Sequence, residues 1–74
     1  MHNALSYIPV LLNSWEIVGI DVKVSSSVTA QDFKGLRALA EATGKRFHRG
    51  IVLYTGSESV PFGSELFALS INTL

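Results

Sequence analysis

The stretch WEIVGIDVKVS, residues 15–25, alternates apolar residues with everything else and decides how the rest of the chain is read. Side chains on a strand repeat every two residues. Val18, Ile20, Val22 and Val24 therefore share one face, and Ile17, Gly19, Asp21 and Lys23 share the other. The next stretch, TAQDFKGLRALAEATG at 29–44, changes period: Phe33, Leu36, Leu39 and Ala40 form a stripe at helical spacing. Thr29 with Asp32 three positions later resembles a capping box with aspartate in place of glutamate, and Gly44 suits the position just past a helix end. Gly35 inside the helix suggests a close approach of helix to sheet, because glycine there otherwise costs about 1 kcal/mol. RGIVLYTG at 49–56 is a continuous apolar run, the signature of a central strand whose two faces are both covered. Strand, helix and strand in succession make a right-handed crossover, so 15–25 and 49–56 are expected to be parallel.

Working outward, ALSYIPVLL at 4–12 is a further β-prone run, placed at an edge or bent by Pro9, which has no N–H to donate. Asn13-Ser14 is a plausible two-residue turn into 15–25. Beyond the loop containing SVPFG, ELFALSI at 65–71 reads as a last strand, also at an edge. The expected fold is α/β, in the order β-β-α-β-β, with a mixed sheet and one main helix on one face. Trp15, Phe62 and Phe67 are read as core or interface residues.

With 74 residues, 47% hydrophobic and 16% charged, the chain is expected to be a single globular domain, 1–74. A core of this size yields only about 3–5 kcal/mol, and no cysteine supplies a disulfide or a thiolate ligand. His2 and His48 have no metal-ligand spacing. Residues 1–14 lack Lys and Arg, and no apolar run approaches the roughly 18 residues of a membrane span, so a soluble, cytoplasmic protein is expected. The net charge of zero hides an asymmetry. Six bases against two acids leave residues 23–49 at +4, while Glu16, Asp21, Glu58 and Glu65 lie outside. Lys34, Arg37, Lys45, Arg46 and Arg49 in this segment are candidate phosphate contacts, because cationic side chains supply the sequence-independent part of nucleic-acid affinity.

Asp21 and Lys23 are the candidate catalytic pair. Residues i and i+2 on a strand point the same way, about 6.5–7 Å apart. A carboxylate there suits Mg²⁺ or Mn²⁺, which take oxygen ligands, and an ammonium beside it suits a metal-bound water or a developing phosphorane charge.

Asp21-Val22-Lys23 resembles the second half of the PD-(D/E)XK motif of restriction-endonuclease-like nucleases. More broadly, VGIDVK, DFKGLRALAE, GIVLYTG, PFG and LFALSI follow one another within residues 17–74. Together they resemble the C-terminal nuclease-like domain of uncharacterised bacterial and archaeal AAA-type ATPases. The resemblance implies a restriction-endonuclease-like core truncated at its N-terminus, with Asp21 and Lys23 as vestigial site residues and Asp21 as a metal ligand. It also implies that the strand before the matched region supplies the first acidic ligand. The corresponding YIPVLL, 7–12, contains no acid, and Pro9 falls at or next to that position. The expectation is a catalytically impaired remnant that acts as an interaction or structural module of an ATPase system, with the ATPase domain on another chain. A Mg²⁺-dependent nuclease and a nucleic-acid-binding module using the basic segment 34–49 are the alternatives. A homodimer is expected, because one helix covers one sheet face only.

Overall fold

Residues 7–73 are described by the structure, a computed structural model. β1 (Ile8–Leu12) and β2 (Glu16–Lys23) form an antiparallel hairpin. Asn13 and Ser14 turn it with φ of 41° and 66°, and the Trp15 N–H donates to the Leu12 carbonyl at 3.0 Å. Two successive positive φ values match the twist of the flanking strands, and Asn tolerates that region well. Residues 4–6 of the expected first strand lie outside the described residues.

The expected helix over 29–44 is divided. A 3₁₀ turn (Ala30–Phe33) leads into α1 (Lys34–Thr43), and a second 3₁₀ turn (Gly44–Arg46) follows it. The chain is extended at Thr29, with φ −122° and ψ 171°, and Gly44 ends the α-helix at φ 54°. β3 (Phe47–Tyr54) then pairs parallel to β2, from Gly19 opposite Gly50 to Lys23 opposite Tyr54, as the crossover requires.

The remainder corrects one expectation. The last strand, β5 (Leu66–Ser70), is not at an edge but pairs parallel to β3. The edge belongs to β4 (Val60–Pro61), two residues folded back antiparallel onto β5. The cause is a backbone closure, in which the Phe62 N–H donates to the Leu66 carbonyl at 2.8 Å. The sheet is thus five-stranded and mixed, in the order β1-β2-β3-β5-β4.

α1 packs on the sheet face that carries Gly19 and Gly50. A Cβ on Gly19 would lie 2.6 Å from Leu36 Cδ2 and 2.8 Å from Leu39 Cδ2. One on Gly50 would meet Leu66 Cδ2 at 2.8 Å and the Leu36 Cβ at 3.2 Å. The close approach suggested by Gly35 is therefore built from the sheet side, where two strands give up side chains so that Leu36 can sit against backbone. Phe33, Leu36, Val52 and Ala68 are almost wholly buried there, joined by Tyr54 and by Phe62, whose ring stacks on Phe33 with centroids 4.8 Å apart.

The other face has no covering layer among the described residues. Ile8, Val10 and Leu12 of β1, Val22 of β2 and Val24 just past it are exposed, Val22 at 56% and Val24 at 89%. Ile20, Ile51, Leu53, Phe67 and Leu69 are half-buried. The molecule is accordingly a slab of 31 × 31 × 18 Å.

Candidate functional site

Asp21 and Lys23 lie near the C-terminal end of β2 and, with Gly19, face the helix layer rather than the bare side of the sheet. The crossover brings the start of the helical segment back over this strand end, which sets Asp32 beside them. Lys23 Nζ donates to Asp32 Oδ1 at 2.6 Å, with both side chains partly shielded from solvent. The other carboxylate oxygen, Asp32 Oδ2, accepts the Thr29 N–H at 2.8 Å and the Thr29 hydroxyl at 3.4 Å. One aspartate therefore caps the helical segment and ties it to the strand.

The electrostatics divide the two acids. The hydrogen bond from Lys23, helped by the Thr29 N–H, holds the Asp32 carboxyl below the usual carboxylate range. Burial pushes the Asp21 carboxyl up, the nearby charge of Asp32 adds to the rise, and the Val22 N–H and Lys23 only partly offset it. A raised carboxylate beside a like charge and an ammonium is the kind of perturbation that functional sites exhibit.

The donor set nevertheless does not fit Mg²⁺ or Mn²⁺. Asp32 already has its charge balanced by Lys23 and accepts from Thr29, which leaves Asp21 to attract an ion. The β1–β2 pairing ends with Ile8 opposite Ile20, and the residue just before β1 is Tyr7. Tyr7 packs against the core cluster instead of supplying an acid. Among the described residues, no group of three or more His, Asp or Glu could hold a metal. A single carboxylate does not supply the charge needed to strip water from so strongly hydrated an ion.

The five basic candidates do not share one surface, although Lys34 and Arg37 line a shallow pocket with Ala30 and Gln31. Lys34 and Arg37 are exposed on the helix, where Arg37 Nη1 donates to the Ala30 carbonyl at 3.0 Å. Lys45 is exposed in the turn after it, and Arg46 Nε donates to the Trp15 carbonyl at 3.0 Å. Arg49 lies on the opposite side of the sheet, its guanidinium 5.2 Å from the centroid of the Phe67 ring. An open groove of about 370 Å³ runs between α1 and the 62–66 turn, floored by Phe47, Phe62 and Leu66 and rimmed by Arg37, Glu41 and Glu65. It touches none of Asp21, Lys23 and Asp32. No helix among the described residues is long and apolar enough to cross a membrane.

Asp32 is the residue that sequence reasoning undervalued, taking it for a cap alone. The signal was present. A right-handed crossover must return the first helical turn to the end of β2, and Lys23 is the charged residue waiting there.

Residues 10–74 match a family model described as a domain of unknown function, DUF4143. None of the curated proteins and none of the solved structures matches the chain.

Proposed function

The chain belongs to the DUF4143 family, and from that premise we propose that it is a catalytically silent, nuclease-like interaction module of an ATPase system. The observation that carries this reading is the helix-free sheet face, where apolar side chains of β1, β2, β3 and β5 meet no second layer among the described residues. Contiguous exposed apolar surface of this kind marks a protein-binding site more often than a solvent face. The ATPase association rests on the resemblance of residues 17–74 to the C-terminal domains of AAA-type ATPases. Catalytic silence is supported by Lys23, whose ammonium is taken up by Asp32, and by the lack, among the described residues, of an acidic cluster that could hold a metal beside Asp21.

Two measurements test this. Purified protein incubated with single- and double-stranded DNA and either Mg²⁺ or Mn²⁺ leaves the DNA intact. Cleavage that disappears in Asp21→Ala and Lys23→Met variants would reinstate the nuclease. A photo-crosslinking residue placed at Val22 gives a covalent adduct with another polypeptide, whereas the same residue at Lys34, on the exposed helix surface, gives none. No adduct from Val22 would remove the module reading.

A further inference from the structure

We propose that the occupant of the helix-free face is a second copy of this chain, docked face to face about a two-fold axis. This rests on the module reading above and names its partner.

The edges of the sheet point away from strand addition. The Leu12 carbonyl faces β2, since it accepts the Trp15 N–H. Strand alternation then turns the backbone groups of Pro9 and Leu11 toward the open edge. Pro9 has no N–H, so that edge lacks a donor at the second residue of a five-residue strand. The opposite edge is β4, two residues long, and its second residue is Pro61. Short strands and prolines are the devices by which sheets discourage edge pairing. Association through the sheet is therefore directed to its face.

The face has the size and the charge pattern for a copy of itself. A slab 31 Å on each long side offers enough area for the roughly 800 Å² per partner of a standard interface. Its charged groups gather at one end: Glu16 opens β2, with His48 Nδ1 3.5 Å from its Oε2, and Arg49 stands on the neighbouring β3. An axis parallel to the strands, between β2 and β3, sets Glu16 of each copy against Arg49 of the other. Ile20, Val22, Ile51 and Leu53 then meet their counterparts across the axis. Opposite charges on adjacent strands make the face complementary to itself, as a two-fold interface must be.

Sedimentation equilibrium of the purified 74-residue chain at micromolar concentrations tests the proposal. The expected mass is twice the 8.0 kDa of one chain. Val22→Lys lowers it to one chain while the circular dichroism spectrum is kept. Val24→Lys, at a still more exposed site, serves if the first variant does not fold. Arg49→Glu weakens association by about tenfold, near 1.4 kcal/mol, and Glu16→Arg added to it restores the dimer. Lys34→Glu leaves the dimer untouched. A mass of one chain throughout the series would overturn the second copy as occupant, and so would a dimer insensitive to Val22→Lys. If Val22 then crosslinks to a different polypeptide, the module reading survives and the choice of partner fails.

Discussion

The two faces of the sheet are built from the same strands and behave as opposites. On the helix-covered face the sheet is thinned by Gly19 and Gly50, and Leu36 and Phe33 close over Val52 and Ala68. On the bare face every β2 and β3 position carries a side chain, yet little lies above them. The difference shows that apolar content alone does not mark the core of a small sheet. The core forms where strands give up side chains to let a helix approach. The charges of Asp21 and Lys23 lie on the covered face because the helical segment brings its own acid to meet them.

Substitutions break this contrast in a graded series. Phe33→Ala removes a wholly buried ring and is expected to cost about 3–5 kcal/mol, as much as a domain of this size has. Loss of the cooperative urea transition would report it. Retention of a cooperative transition would mean that the bare face contributes more to stability than its exposure suggests.

Gly50→Ala is expected to cost about 1–3 kcal/mol, since the new methyl meets Leu36 Cβ, which sits next to helix backbone and has little room to yield. Gly19→Ala costs less, because the groups in its way are the mobile ends of two leucines. The order of the two urea midpoints tests whether the helix seat is rigid at Gly50.

Lys23→Met leaves the Asp32 carboxylate without its cation and is expected to cost about 1 kcal/mol, a figure kept small by the partial exposure of both groups. The pH dependence follows from the depressed Asp32 carboxyl. Its contribution is fully present above the unfolded value of 3.8 and is lost as pH falls below it. Wild type should therefore lose its advantage over Lys23→Met between pH 4 and lower values. A constant gap across that range would assign the effect of the substitution to packing.

Asp21→Asn is the smallest and has the opposite sign, a slight gain in stability at neutral pH. The carboxyl it replaces is raised by burial and by Asp32, so its charged form opposes folding. Wild type recovers that deficit as acid protonates Asp21, from above pH 3.8 downward. A destabilised variant at pH 7 would indicate that the charged form of Asp21 has a favourable partner in the folded protein.

The crossover was legible because residues 15–25 repeat every two positions and 29–44 every 3.6, and that change leaves one handed connection to β3. The hairpin at Asn13-Ser14 was legible from its turn residues. β4 was not, since it is two residues held by a backbone hydrogen bond between Phe62 and Leu66 that leaves no pattern in side chains. Nor did alternation say which face of β2 the helix would choose. Val18, Ile20, Val22 and Val24 look like the buried set, yet of these four Val18 alone is buried, and the deciding residues are glycines that contribute nothing to a hydrophobic count. At the candidate site the pair Asp21 and Lys23 stood out from spacing alone. Its meaning changed with Asp32, nine positions beyond Lys23 and brought back only by the tertiary path.

The pairing of β2 with β3 also dictates the order in which the chain can assemble. β1 and β2 meet across the three residues 13–15, a closure that occurs in microseconds. Gly19 and Gly50 must find each other across 31 intervening steps of chain, and Leu36 reaches its seat only once both are aligned. Non-local parallel pairing of this kind is slow, because the loop entropy is lost before any contact compensates for it. The hairpin is therefore expected to be an early, weakly protected species, with docking of α1 and the joining of β2 to β3 as the rate-limiting event. In stopped-flow refolding, Gly50→Ala and Leu11→Ala in the hairpin should both slow folding. A Leu11→Ala variant that chiefly speeds unfolding would place the hairpin after the rate-limiting step.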